Sequence, residues 1–181
     1  MKSRALVEDR RLALLGTLGF AAALAAASQV AIPLPLTPVP ITLQALLVVL
    51  AGMMLGPVLG AASMVLYLAV GAAGLPVFAP MGAPGVLRFV GPTGGYLLAY
   101  PVAAYVAGML ALRARGFTGR TLSAGAGVVM LYLGGLAQLA LLTGSLTRAA
   151  LLGVVPFMAL DAVKSLVAAA LTRSPASERT R

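Results

Sequence analysis

Between Asp9 and Glu178 the chain carries a single carboxylate, Asp161, in a sequence built mainly of Ala, Leu, Val and Gly. Apolar runs of crossing length, at about 20 residues per span, can be drawn at 12–32, 57–74, 93–112, 122–143 and 151–172, with a shorter one at 41–55. A backbone in hydrocarbon has to satisfy its own N–H and C=O groups, and a helix does so within one segment. Hydrophobic residues fill 61% of the 181 positions and charged ones 9%, with a mean hydropathy of +1.03, well outside the range of soluble domains. The pattern predicts an all-α integral membrane protein, a single transmembrane domain of six helices over 1–181.

The breaks between runs carry turn chemistry. Pro33, Pro35, Pro38 and Pro40 stiffen the first connection, Gly56-Pro57 ends the second run, and Arg113 to Arg120 form the fourth connection. The third, residues 75–92, holds Pro76, Pro80, Pro84 and Pro92 yet stays apolar, as suits a loop packed over something. With the N-terminus inside, inner segments collect Lys2, Arg4, Arg10, Arg11, Arg113, Arg115, Arg120, Arg173, Arg179 and Arg181, and outer ones Arg88 and Arg148. That ten-to-two split predicts cytoplasmic termini and outward-facing 33–40 and 75–92 loops. MKSR and the apolar run after it imitate a signal peptide, but Glu8 and Asp9 spoil the basic leader, so a retained first helix is expected.

Several function classes drop out. The net charge of +9 sits at the ends and in one loop rather than along a face with interleaved aromatics, which argues against nucleic acid and for a lipid bilayer as the partner. With no Cys and no His, thiol catalysis and the usual zinc and iron sites are gone, and no metal is expected. Neither Lys2 nor Lys164 lies in a phosphate-binding loop pattern. A membrane enzyme would have one buried carboxylate for all its acid-base and nucleophilic work, so no catalytic residue is assigned.

What remains is a handful of polar residues in apolar surroundings. Asp161 and Lys164 are three apart, about 60° around a helix, so they share a face. Each costs about 2.5–3.5 kcal/mol at the centre of a lipid-exposed helix, so that face should look inward. The pair either neutralises itself and stabilises the bundle, or leaves Lys164 for an anion and Asp161 for ligand N–H donors. Gln44 can read an amide-like ligand or bond to a neighbouring helix; Gln29 and Gln138 are similar, in weaker contexts. In RFVGPTGGYLLAYP, Gly91, Gly94 and Gly95 permit close backbone approach, Thr93 can cap the next helix, and Tyr96 offers a ring with a polar tip. Arg88 either anchors at headgroups or faces a ligand. On helix 1, Ala21/Ala25 and Ala22/Ala26 give small-residue spacing for close helix approach, within the chain or to a partner subunit.

Four ordered stretches, PLPLTPVPITLQALLVVLAG, LGPVLGAASMVLYLAVGAAGLPVFA, GPTGGYLLAYP and PFMALDAVK, resemble the BioY family of biotin-specific S components of energy-coupling factor (ECF) transporters, over about residues 29–172. The resemblance implies a six-helix S-component fold in the bacterial inner (cell) membrane that captures biotin near the outer face. No cofactor is implied, biotin being the transported substrate. It also implies docking onto a transmembrane coupling subunit driven by ATPase subunits, through the small residues of helix 1. Set against biotin, Asp161 is assigned to a urea N–H and Lys164 to a polar oxygen. Gln44, Gly91 and Thr93 supply further contacts, Tyr96 is an apolar wall, and Arg88 is Lys164's rival for the carboxylate. The alternatives are a stand-alone or homo-oligomeric biotin facilitator or proton-coupled carrier with Asp161 as the proton site, and a structural subunit indifferent to loss of both charges.

Overall fold

The computed structural model describes residues 2–172, with side chains described from Arg10 onward. Arg173, Arg179 and Arg181 of the expected inner charge cluster lie outside the described residues, as do the side chains of Lys2 and Arg4. Among the described residues the fold is mostly helical: α1 (Lys2–Ser28), α2 (Gln44–Leu55), α3 (Pro57–Ala72), α4 (Gly94–Ala111), α5 (Gly116–Thr143), α6 (Leu146–Gly153) and α7 (Met158–Leu171). Arg10–Ser28 of α1, α4 and α5 are long and apolar enough to cross a membrane, and α6 with α7 make a fourth crossing if the bent pair is one span. This is a multi-pass membrane protein. The helices α2 and α3 have 12 and 16 residues, roughly 18 and 24 Å against a hydrocarbon core of about 30 Å.

Three local departures from the sequence expectation shape the site. The Pro-rich first connection is not merely a stiff loop, so the fold is not wholly α: Ile32–Leu34 (β1) pairs antiparallel with Thr37–Ile41 (β2). Pro38 and Pro40 alternate with the pairing residues Thr37 and Ile41, the placement that lets a strand carry prolines when their nitrogens lie off the ladder. The fourth connection is shorter than expected, since α5 begins at Gly116 and carries Arg120, whose Nε donates to Ala169 O near the end of α7 at 3.0 Å. The run at 151–172 is not one helix. It breaks over residues 154–157 with a 54° bend between α6 and α7, where Pro156 has no N–H to give and disfavours a helical residue before it.

The helix α4 lies at the centre, against α2, α3 and α5. Glycines bring these backbones together: a Cβ on Gly52 would collide with Ala104 O, and one on Gly108 with Gly52 O. Leu24, Val48, Met64, Tyr67, Leu97, Tyr100 and Ala103 form the main buried cluster between α1 and α4, and the hairpin adds Val39 to a smaller one with Leu139, Ala149 and Phe157.

Candidate ligand-binding site

A cavity of about 750 Å³, counting the space at its mouth, opens where β2, the segment after α3, the N-terminal ends of α2, α4 and α7, and the middle of α5 converge. Asp161 and Lys164 form its floor on α7. Lys164 Nζ donates to Asp161 Oδ1 at 2.7 Å, and both residues are buried, at 8% and 6% exposure. Asp161 falls in the first turn of α7, where the unpaired N–H groups of a helix start favour a carboxylate. That start exists only because the chain breaks at 154–157. Tyr132 Oη on α5 donates to Asp161 Oδ2 at 2.7 Å, so each carboxylate oxygen already holds a donor. Lys164 has three N–H donors and spends one on Asp161.

The break frees carbonyls that an uninterrupted helix would have bonded. Leu152 O accepts from Thr37 Oγ1 at 2.6 Å and Gly153 O from Tyr96 Oη at 2.5 Å, so the hairpin and α4 supply the missing donors. Tyr96 therefore does more than wall the cavity. Its ring lies against Gly135, where any Cβ would collide with it.

Gln44 combines both roles the sequence left open. It lines the cavity at 7% exposure, while its Nε2 donates to Tyr67 Oη on α3 at 3.0 Å and its Oε1 accepts from Thr42 Oγ1 at 3.1 Å. Thr93 also lines the cavity and occupies the position before α4, but its side chain makes no capping bond. Gly91 is not among the lining residues. Its carbonyl lies 3.4 Å from Gln138 Nε2, which also approaches Phe89 O.

Arg88 is no headgroup anchor. It is 6% exposed, lies 5.9 Å from the centre of the Phe78 ring, and donates through its two terminal nitrogens to Ala79 O and Met81 O. Burial lowers its pKa, with Tyr67 and Tyr100 opposing. Its Nε is buried without a hydrogen-bond partner among the described residues. The cavity is thus closed on one side by a roof, residues 76–81, of which Phe78, Ala79 and Met81 line it. The side chains not anticipated from sequence include Thr42, Phe78, Tyr100, Tyr132 and Phe157 in the lining and Tyr67 just behind it. One signal was available: of the five tyrosines, all in helices, each one buried away from water needs a partner for its hydroxyl.

On α1, Ala21 is buried and Ala25 half-buried against the core, whereas Ala22 and Ala26 are exposed. The two registers that the sequence left equal are therefore different faces, one spent inside the chain and one open.

An apolar helix bundle enclosing a mostly apolar cavity with a few convergent polar groups defines a solute-binding membrane protein. Comparison with known proteins narrows the class. The BioY family model matches residues 1–180, and the chain belongs to the BioY family. It is 40% identical to the probable biotin transporter BioY of Pyrococcus horikoshii over 72% of this chain and 76% of that one. The biotin transporter BioY of Thermotoga maritima is 37% identical over 76% of this chain and 81% of its own length. The crystal structure of the S-component for biotin from an ECF-type ABC transporter superposes with a TM-score of 0.83 at 25% identity, covering 96% of this chain and 94% of that one.

Proposed function

We propose that this chain is the biotin-capturing S component of an ECF-type transporter in the bacterial cell membrane, with coupling and ATPase subunits as partners. Family membership and the names of its relatives support biotin uptake, and those relatives are transporters rather than enzymes. The observation that carries the site reading is the engagement of Asp161 on both oxygens while Lys164, at the cavity wall, keeps two N–H groups without a partner among the described residues. In this reading Lys164 donates to a biotin oxygen, Asp161 holds Lys164 and accepts a urea N–H through a remaining lone pair, and Gln44 and Thr93 add polar contacts. Tyr100 and Phe78 supply apolar wall. Arg88 chiefly holds the roof, leaving Nε–H and the second N–H of each terminal nitrogen as donors toward a carboxylate.

Six crossings with both termini inside fit the chain path. The helix α2 leaves the cavity end at Gln44, α3 returns to it at the roof, and exposed Arg10, Arg11, Arg113 and Arg115 gather at the opposite ends of α1, α4 and α5. The exposed Ala22 and Ala26 face is the one we assign to the coupling subunit, because burying Ala21 has already spent the other register. Equilibrium binding to purified protein tests the reading: biotin should bind, and biotin amide should bind more weakly if the carboxylate is read. Uptake in cells lacking any coupling subunit separates the S-component role from a stand-alone carrier. Absence of biotin binding to folded protein would overturn the proposal.

A further inference from the structure

We infer that Ser28 and Gln29, at the end of α1, are positioning residues for ligand retention: they hold residues 76–78 as part of the cavity roof although neither lines the cavity. The inference rests on the biotin-capture reading. Its basis is a set of carbonyl partners. Across the roof, Pro76 O and Phe78 O each lie 3.2 Å from Gln29 Nε2, and Val77 O accepts from Ser28 Oγ at 2.5 Å and Tyr67 Oη at 3.1 Å. Ala79 O and Met81 O take the two terminal nitrogens of Arg88. Five carbonyls of one irregular segment are thus met by side chains from α1, α3 and the 3-10 turn at Gly85–Val90.

The chemistry of the segment requires such partners. A stretch without regular secondary structure at the edge of an apolar bundle has carbonyls that no ladder satisfies, and side chains must bond them or leave them to water. Ser28 is wholly buried and shares one proton between Val77 O and Ala25 O, the latter at 2.7 Å. Gln29 is exposed, and its amide nitrogen has two N–H donors to share between the two roof carbonyls and Ala25 O at 3.2 Å and Ser28 Oγ at 2.9 Å. Between them hangs Phe78, which lines the cavity, packs edge-on to Tyr67 at 5.5 Å, and fills a slot against Gly71 that only glycine leaves open. Releasing residues 76–78 therefore loosens the aromatic side chain that covers the ligand. The path also links α1 to the cavity through Tyr67, which takes its own hydrogen bond from Gln44.

A roof held in place slows escape of what lies beneath it, so the effect belongs in the dissociation rate. The test measures biotin association and dissociation on the full chain in detergent for wild type, the Ser28→Ala, Gln29→Leu double variant, and Ser28→Thr, which keeps the hydroxyl. Hydrogen exchange is followed across residues 75–92 without ligand. The double variant should release biotin about tenfold faster with association within about twofold of wild type, exchange faster at 76–82, and Ser28→Thr should restore most of the difference. Unchanged dissociation beside faster roof exchange overturns the inference, as does unchanged exchange. Wild-type protein that binds no biotin overturns the underlying reading instead.

Discussion

Removing one charge from the cavity floor should cost far more than removing both, and the two single losses should differ. In Lys164→Met the Asp161 carboxylate keeps Tyr132 Oη at 2.7 Å and the N-terminal turn of α7, but loses its counter-charge. In Asp161→Leu the ammonium is left in a buried site, close to a helix start whose dipole opposes a cation. Breaking a buried pair from one side costs about 3–5 kcal/mol. The helix start and Tyr132 bring Lys164→Met to the low end, and the wrong-sign dipole brings Asp161→Leu to the high end. With roughly 2–4 °C per kcal/mol for a chain of this size, the two should melt about 6–20 °C below wild type, Asp161→Leu lower. The double variant Asp161→Leu, Lys164→Met leaves no stranded charge and should recover most of that loss. All three should lose biotin binding. Thermal melting in detergent and equilibrium biotin binding read both quantities. A double variant as unstable as the worse single refutes the pair energetics, and one that still binds biotin with wild-type affinity refutes the assignment of the pair to the ligand.

Tyr132→Phe removes the hydroxyl that fixes Asp161 Oδ2 without emptying the packed volume, so biotin Kd should rise about tenfold with a much smaller change in melting; wild-type affinity would show that Lys164 alone orients the carboxylate. Tyr96→Phe strands Gly153 O at the helix break, and the protein should lose about 1–3 kcal/mol in unfolding measurements; no loss would mean water replaces the donor freely. Ala22→Leu with Ala26→Leu should abolish energised uptake while leaving biotin binding intact, whereas Ala21→Leu should overpack the core and cost about 1–3 kcal/mol. Uptake surviving the outer pair would move the docking face elsewhere.

Hydropathy and helical periodicity made the apolar helices legible, along with the shared face of Asp161 and Lys164, because both depend on local patterns. The break at 154–157 was marked in the sequence by Pro156, yet an apolar run conceals it, since Leu, Val and Phe score alike whether helical or unwound. The hairpin was obscured for the opposite reason: four prolines argue against a strand until it is noticed that Pro33, Pro38 and Pro40 alternate with pairing residues and Pro35 sits in the turn. Tyr132 and Tyr67 could not be placed from spacing, because their partners are 29 and 23 positions away and only tertiary packing joins them. Arg88 stayed open between headgroup anchor and ligand contact because a one-dimensional pattern does not show a loop folding back on its own arginine.

The polar residues scattered through these helices share a cause more general than the ligand. At three places where the chain leaves regular secondary structure near the cavity, side chains meet backbone carbonyls that no helix or ladder bonds. Thr37 and Tyr96 do so at the α6–α7 break; Ser28, Gln29, Tyr67 and Arg88 do so at the roof; Gln138 approaches Phe89 O and Gly91 O before α4. These groups cannot be reading a ligand with the same donors. That subtraction leaves Lys164, whose spare N–H groups have no carbonyl partner among the described residues, as the less committed of the two cations lining the cavity, since Arg88 has given both terminal nitrogens to roof carbonyls.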